Sequence, residues 1–444
     1  MDHPLGDACR DSRRMLGFGD DVTVVATGHQ AAIWHPGILA KDLAVRALVE
    51  SLAAAGRTVR PLHFIADHDA NDGGLVAYPT MDLRRGGWRM LPPTDRSSTI
   101  DRPTARPAAV PGDSFDREEI RRGLESIHAA VERHRDAPNL ATQLAGAAAS
   151  LAAPWSGEIP RASMSGLLHL PIGRQLLERM ERAPETCIAA HDAAVEEDRV
   201  RRSASRRRTR GAARLLGREA APELPLWRND GDGRRPVLVG EPIDPETCRP
   251  RALLATALAR LAGCDLFVHG LGGEIYDVVM ESWVERWLGP EVASGLAPAT
   301  IATATCLLPI ADDLPAADPG ISPEGLHRLE SDPDLARSGS RLRAGLLAEI
   351  DAAPRRSPAR RAAFLRLRAE IEDARVRGAD EIEAYRGRLE RESEGRRHRA
   401  VAEDRTWPFP LHPSASLDDL LQGCRTAFAP VADEAQASPN GRGR

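Results

Sequence analysis

Lysine is almost absent from this chain. The sequence holds 60 lysine and arginine residues, and Lys41 is the single lysine among them, so every other one is arginine. A lysine ammonium approaches a phosphate as a compact point charge, whereas arginine presents a planar fork. Composition alone leaves two interpretations of Lys41 open. The lysine remains by chance in a sequence that otherwise uses arginine, or this position requires a compact cation.

Aromatic residues, clustered cysteines and long apolar runs are also scarce. Aromatic residues make up 4% of the 444 residues, and no apolar run reaches the ~18 residues of a membrane span. The cysteines are scattered, without a Cys-x-x-Cys pair or a zinc-binding spacing: Cys9, Cys187, Cys248, Cys264, Cys306 and Cys424. The opening segment is too polar for a signal peptide, so we expect a reducing cytoplasm. The net charge of −5 gives no case for a nucleic-acid or membrane partner.

What the chain does contain near its start is a strand–helix–strand pattern. The β-branched run at 21–26 predicts a buried strand that breaks at Thr27-Gly28. A helix is predicted over 36–55, with proline in its first turn and glycine just after its end. A second strand is predicted over 58–66. This βαβ unit implies a parallel pair of strands and therefore an α/β protein.

Further elements are predicted along the rest of the chain. Residues 75–91 alternate as a short antiparallel excursion, and 116–218 are typical of several helices. Strands that continue the parallel core are predicted over 236–240, 264–268 and 299–308, with helices over 250–262 and up to about 288. Eight arginines between 199 and 214 are interpreted as a solvated basic face, because no aromatic residue lies among them to stack on bases.

The last third of the chain predicts a helical arm. Apolar and small residues recur there at three- and four-residue steps: Phe364, Leu367, Ile371, Ala374, Gly378, Ile382, Tyr385 and Leu389. This spacing indicates a coiled-coil seam, although a plain antiparallel arm fits it too. The expected divisions are a first core part (1–115), a helical insertion (116–235), a second core part (236–315), the coiled-coil arm (316–404), and a segment (405–444) that returns to the core through Trp407–Leu411 and ends in a disordered tail.

Three polar, glycine-containing loops follow predicted strand ends, at 27–37, 67–74 and 269–277. Ligands in open α/β sheets bind beyond the carboxyl ends of strands, so we expect the loops to converge on one site. The first loop and the following helix offer these candidates for binding: Thr27, Gly28, His29, Gln30, His35 and Lys41. The helix start favours an anion through its backbone N–H groups and its dipole. The alternative is that the two histidines only satisfy backbone groups.

The second loop holds the predicted catalytic residues, Asp67, His68 and Asp69. The imidazole could act as a base, or the carboxylates could position an amine. On an extended backbone Asp67 and Asp69 would share one face, and His68 would point to the other. The alternative is a strand-end turn whose Asp side chains accept backbone N–H groups. No second cluster with metal-ligand spacing is present, so no metal site is predicted.

The third loop is rich in glycine, which lets the backbone approach a ligand closely. Its predicted binding residues are His269, Gly270, Gly272, Gly273, Glu274 and Tyr276. The glycine spacing differs from Gly-x-Gly-x-x-Gly, which argues against dinucleotide binding. No Gly-x-Ser-x-Gly elbow is present and no cysteine lies in the three loops, which argues against a serine or cysteine nucleophile.

These three motifs in this order, with the late helical arm, resemble the bacillithiol-biosynthesis cysteine-adding enzyme family. The residues that carry the resemblance are 27–30, 67–69 and 272–277, together with 249–254. The resemblance implies a Rossmann-like core related to nucleotidyltransferases and class I aminoacyl-tRNA synthetases, and a coiled coil that mediates a homodimer. Residues 35–38 resemble the synthetase His-x-Gly-His signature, with isoleucine in place of the second histidine.

The function that the resemblance implies is carbon–nitrogen ligation in low-molecular-weight thiol biosynthesis. The enzyme would form an amide between an amino acid, cysteine in this family, and a small amine such as glucosaminyl malate. The use of ATP is left open. Two alternatives use the same residues: a nucleotidyltransferase-like enzyme that activates a small carboxylate or phosphate, and a non-catalytic dimeric binding protein.

Overall fold

The computed structural model describes residues 3–93, 97–204, 215, 221–229, 233–310, 314, 316–331 and 341–429. The chain divides into two compact units, one formed by 1–308 with 405–444 and the other by 309–404. Most of the arginine-rich stretch (205–214) and the predicted disordered tail (430–444) lie outside the described residues. Within the described ranges, no helix is long and apolar enough to cross a membrane.

The secondary structure alternates between helices and short strands. The strands are β1 (Thr23–Gln30), β2 (Val59–Ala66), β3 (Leu75–Pro79), β4 (Arg85–Arg89), β5 (Arg161–Ser163), β6 (Glu223–Asn229), β7 (Arg234–Leu238), β8 (Cys248–Pro250), β9 (Leu266–His269) and β10 (Ala299–Ile301). The α-helices are α1 (Gly6–Met15), α2 (Pro36–Ala54), α3 (Glu118–Arg133), α4 (Leu140–Ser156), α5 (Pro171–Arg182), α6 (Pro184–Ala204), α7 (Ala252–Leu258), α8 (Gly273–Leu288), α9 (Pro290–Ala293), α10 (Pro323–Ser331), α11 (Arg341–Ala352), α12 (Pro358–Arg377), α13 (Ala379–Ala402) and α14 (Ser414–Phe428). Shorter helical turns span Thr99–Asp101, Ser165–His169, Ala259–Gly263 and Phe409–Leu411.

A five-stranded parallel sheet forms the centre of the first unit, in the order β10-β9-β1-β2-β5. β1 and β2 pair from Thr23 opposite Val59 to Gln30 opposite Ala66, and α2 connects them. The predicted βαβ unit and the α/β class are confirmed, in an arrangement consistent with a Rossmann-like core. β5 was not predicted, because three residues within a mainly helical stretch are too few to show a strand pattern.

The first strand is longer than predicted. We expected it to break at Thr27-Gly28, but β1 continues to Gln30 because β2 stays paired with it to the end. A Cβ atom on Gly28 would lie 2.9 Å from the carbonyl oxygen of Phe64 on β2. Close packing between strands, rather than a turn, therefore explains this glycine.

The first unit also contains two small antiparallel sheets. β3 and β4 pair as the predicted antiparallel excursion. β7, predicted to continue the parallel core, instead pairs antiparallel with β6 in a three-stranded sheet of order β7-β6-β8. That prediction was wrong because a short apolar run shows that a strand forms but does not identify its partner.

The C-terminal segment of the first unit packs against the start of the core. Phe409 is fully buried in a cluster with Trp34, Leu39 and Leu43 at the start of α2. Its backbone N–H donates to the carbonyl of Trp34 over 2.7 Å. Phe409 therefore packs against the start of α2, while the predicted division of the chain into domains stays a prediction.

The second unit consists, in its described part, of α10 to α13. Leu346 and Ile350 of α11 pack against Ala363 and Leu367 of α12 in a small apolar cluster. Phe364, a residue of the predicted seam, is 56% exposed. α12 ends at Arg377, and α13 starts two residues later, after a glycine. The coiled coil and its homodimer remain predictions.

Candidate functional site

The carboxyl ends of β1, β2 and β9 meet at one edge of the parallel sheet. The chain passes from β1 to β2 on one side, while β9 lies on the other side of β1, so the strand order reverses there. Ligands bind at such switch points of open α/β sheets. A cleft of ≈ 500 Å³ lies at this edge.

All three predicted loops contribute to this cleft. The predicted residues on its wall are Gly28, His29, Gln30, His35, Lys41, His68, Asp69, His269, Gly270, Gly272, Gly273 and Tyr276. Thr27 and Asp67 are buried and do not line it. The Glu274 side chain lies outside the described part of the structure. The structure therefore brings most of the candidates together, while their chemical roles remain predictions.

Thr27 ties the sheet together rather than facing the cleft. Its hydroxyl donates to the carbonyl oxygen of Val268 on β9 over 2.7 Å, and the side chain is fully buried. It thereby fixes the two strands whose ends form the cleft.

Lys41 lies on the second turn of α2 and lines the cleft. The residue is only 4% exposed, and its Nζ donates to the carbonyl oxygen of Gly28 over 2.5 Å. Burial lowers the pKa of Lys41 to about 8, although the neighbouring charge of Asp42 opposes this shift. The amine therefore exchanges its proton far closer to neutral pH than an ordinary lysine.

The two histidines of the first loop differ in their surroundings. Burial lowers the pKa of His29 well below its ordinary value, and the charge of Lys41 adds to that effect, so this imidazole is neutral. Its ring meets Trp34 edge-on at 6.1 Å. His35 caps α2, because its Nδ1 accepts the backbone N–H of Gly37 over 3.1 Å. The capping alternative thus describes His35, although its side chain also lines the cleft.

The Asp67–Asp69 loop turns, so its two carboxylates do not share a face. The Asp67 carboxylate accepts the Ser163 hydroxyl and, over 3.0 Å, the backbone N–H of Ser165. It therefore holds the end of β2 to β5 and matches the structural alternative. His68 is 3% exposed, lines the cleft, and has an Nδ1 atom without a hydrogen-bond partner. Burial lowers the pKa of His68, which the charges of Asp69 and Asp67 oppose.

Asp69 is positioned by two residues from distant parts of the chain. Gln30 Nε2 donates to one carboxylate oxygen over 2.6 Å, and an Arg234 nitrogen lies 3.3 Å from the other. Arg234 also donates to the carbonyl of His68 over 2.8 Å and stacks on the Trp227 ring at 4.7 Å. The small β6-β7-β8 sheet therefore anchors the second loop through Arg234, a residue that the sequence analysis missed.

The third loop carries an imidazole that lies close to a buried carboxylate. His269 Nε2 lies 2.7 Å from the Asp277 carboxylate, whose other oxygen lies 3.1 Å from Arg260. A Cβ on Gly272 would meet no atom within 4 Å, and one on Gly270 would only touch Lys41 at 3.6 Å. Packing within the protein does not require these two glycines, and they leave room beside the cleft. Tyr276 lies at the rim and is 37% exposed.

Two further features were not foreseen. Next to Lys41 in the sequence, Asp42 on α2 forms a buried pair with His63 on β2, with Oδ1 and Nδ1 2.8 Å apart, and Trp34 stacks on the His63 ring at 5.1 Å. Arg405 lines the cleft from the returning segment. Arg405 has no sequence neighbour among the motifs, so no local pattern could have identified it.

The charges on the described wall of the cleft favour an anion. Lys41 and Arg405 are cationic, while Asp69 is the single described carboxylate and already contacts Arg234. Among the described residues, no three His, Cys, Asp or Glu side chains are grouped so that they could hold a metal ion. The wall can therefore bind a carboxylate or phosphate through its cations.

Comparisons with known proteins give little further information. No protein-family model and no curated protein matches the chain. A solved chain from Campylobacter jejuni, named "putative arginyl t-RNA synthetase", is similar over 97% of this chain and 98% of its own, with 11% identity and a TM-score of 0.27. A similarity at this level defines neither the fold nor the function of this protein.

Proposed function

We propose that this protein is an enzyme that joins the carboxyl group of an amino acid to a small amine in the cleft beyond β1, β2 and β9. The observation that carries this proposal is that one cleft is lined both by the cation of Lys41 and by the buried imidazole of His68, whose Nδ1 has no hydrogen-bond partner among the described residues. Besides an activated acyl group, amide formation needs stabilisation of negative charge and acceptance of a proton, which these two side chains could provide.

His68 is suited to take a proton from the amine. Burial keeps its imidazole neutral, and its Nδ1 faces no competing donor. A neutral imidazole accepts one proton and becomes cationic, and the carboxylate of Asp69 in the same loop would stabilise that charge. Asp69 accepts a hydrogen bond from Gln30, and Arg234 donates to the carbonyl of His68, so contacts within the protein position the loop without a ligand.

Lys41 and the start of α2 are suited to hold a carboxylate or a phosphate. The ammonium has three N–H donors and gives one to Gly28. If ATP is the activating substrate, its phosphates would lie against Lys41 and the backbone of Gly270 and Gly272, where the lack of side chains leaves open space. ATP would supply the leaving group that makes a carboxylate reactive.

For the substrates themselves, we propose cysteine and an amine of the glucosaminyl malate type, in the synthesis of a low-molecular-weight thiol. This finer assignment is supported by the three sequence motifs alone. We further propose that the protein is a homodimer through its helical arm, on the spacing of residues 364–389.

The test is direct detection of product. Purified protein is incubated with cysteine and glucosaminyl malate, with and without ATP, and the amide is measured by mass spectrometry. His68→Asn should lower the rate by two orders of magnitude or more, because a general base contributes roughly 10²–10⁴-fold. His128→Asn is the matched control, because His128 stacks on Trp88 and does not line the cleft.

The outcomes separate the competing functions. Amino-acid-dependent pyrophosphate exchange without amide product would favour the nucleotidyltransferase alternative. Cells without the gene should lack a cysteine conjugate and accumulate its amine precursor. If neither product nor exchange is seen and the thiol profile is unchanged, the protein is not this ligase.

A further inference from the structure

The charge of Lys41 has no counter-charge in direct contact. A buried ammonium is normally paired with a carboxylate, because transfer of an unpaired charge out of water is costly. Lys41 donates to a neutral carbonyl, that of Gly28, and among the described residues no carboxylate forms an ion pair with it. Lys41 nevertheless lines the cleft, so a ligand bound there would lie beside this residue.

The charge of Asp42 favours the ammonium, but none of the described groups around Lys41 forms an ion pair with it. They come from α2, β1, β2, the loop after β9 and the returning segment: His35, Asp42, His29, His63, His269 and Arg405. Asp42 is the carboxylate among them, but its Oδ1 contacts His63 Nδ1 at 2.8 Å and it forms no hydrogen bond with Lys41. Burial lowers the pKa of His29 and of His63, so both imidazoles are neutral beside the amine.

We infer that the ligand itself provides the counter-charge, so that binding of a carboxylate or phosphate group in the cleft is coupled to uptake of a proton by Lys41. The inference rests on the proposed function only in taking this cleft as the ligand site. An anion within hydrogen-bond reach of Nζ favours the ammonium over the neutral amine. By linkage, the protonated amine must favour the anion by the same factor.

This coupling has a defined pH dependence. In the free protein the amine loses its proton around pH 8. Below that pH the ammonium is already present, so Lys41 adds no pH dependence to the affinity for the anion. Above it, a proton must be acquired on binding, so affinity falls about tenfold per pH unit until the pKa of the complex is reached.

The single lysine makes the test unusually clean. Protein grown with lysine labelled with ¹³C at Cε gives one side-chain signal, because Lys41 is the only lysine. Its chemical shift is followed from pH 6.5 to pH 10.5, alone and with saturating inorganic phosphate or saturating succinate. The midpoint should lie near 8 alone and rise by at least one pH unit with whichever probe binds.

The two probes distinguish a phosphate from a carboxylate as the anion. Calorimetry at pH 9 in two buffers of different ionisation enthalpy should show proton uptake close to one per bound anion. In Lys41→Arg, the permanently charged guanidinium should bind the anion without uptake and without the loss of affinity above pH 8. The wild-type titration needs no variant, so a misfolded Lys41→Arg would not remove the test.

The inference is overturned if the free midpoint lies near 10.5, if both probes fail to bind, or if a probe binds and leaves the midpoint unchanged. None of these results depends on product formation. A protein that makes no amide but shows the shifted midpoint would refute the ligase and keep the coupling. An active ligase whose Lys41 midpoint does not move on ligand binding would keep the proposed function and refute the coupling.

Discussion

Replacement of Lys41 by methionine should stabilise the fold at neutral pH. The difference between the ordinary lysine pKa of 10.5 and about 8 in the protein corresponds to about 3 kcal/mol against folding with a charged amine. Methionine fills a similar volume without a charge. The lost donor to the Gly28 carbonyl costs about 1–2 kcal/mol. We therefore expect Lys41→Met to be more stable by about 1–2 kcal/mol at pH 7.

The pH profile gives this prediction a second, more specific signature. Between pH 8 and pH 10.5 the unfolded chain binds the lysine proton and the folded chain does not, so the wild-type free energy of unfolding rises with pH. Lys41→Met lacks that rise. The difference in free energy of unfolding between the wild type and Lys41→Met should therefore change by about 3 kcal/mol between pH 8 and pH 10.5. Urea unfolding of both proteins at pH 7, 8.5, 9.5 and 10 measures this difference. Groups that titrate in the same way in both proteins do not contribute to it.

Arg260→Met is the matched control for a buried cation that is paired. Arg260 is 3% exposed, like Lys41, but it contacts Asp277 and Glu281. Its removal leaves a buried carboxylate unpaired and should lower the free energy of unfolding by about 3–5 kcal/mol. The difference from the wild type should not change between pH 8 and pH 10. The reasoning about Lys41 is refuted if the difference in free energy of unfolding between Lys41→Met and the wild type is constant from pH 7 to pH 10. It is also refuted if Lys41→Met is less stable than the wild type by more than about 2 kcal/mol at pH 7.

Three further substitutions test the fold and the site. Thr27→Val keeps the side-chain shape but removes the hydrogen bond to β9, so the free energy of unfolding should fall by about 1–2 kcal/mol in urea titrations. Arg234→Lys removes the stacked fork that holds the second loop and should weaken ligand binding severalfold by calorimetry, whereas Arg235→Lys on the same strand should not. Phe409→Ala empties a fully buried site and should cost about 3–5 kcal/mol by thermal or urea unfolding.

Local sequence patterns predicted the features of the fold that depend on neighbouring residues, such as α2 and the first βαβ unit. The helix α2 was expected at 36–55 and spans Pro36–Ala54, because proline and glycine mark its two ends. The βαβ unit followed from its flanking strands, and parallel pairing places the ends of β1 and β2 at one edge. The meeting of the three loops could thus be expected from the geometry of parallel sheets without knowledge of any side-chain contact.

The contacts that distinguish site residues from structural ones are not local. Asp67 and His68 are adjacent in the sequence, yet one carboxylate holds β5 while the neighbouring imidazole faces the cleft. Arg234 contacts the carbonyl of His68 from 166 positions away, on a strand whose partner the sequence did not identify. Motif position therefore predicted where the site lies, but only tertiary contacts show which members of a motif can meet a ligand.

The single lysine is informative because of what arginine could not do at that position. Arginine stays protonated at every accessible pH, whereas the Lys41 amine releases its proton at about pH 8. A guanidinium would also need more space in a position that is 4% exposed and has the Gly270 backbone nearby. In a chain whose other basic residues are all arginine, a lysine that is buried without a carboxylate partner carries a stability cost that a neutral residue would avoid. Retention of that cost is explained most simply by a function for the exchangeable proton, and rarity of the residue alone would not have supported that conclusion.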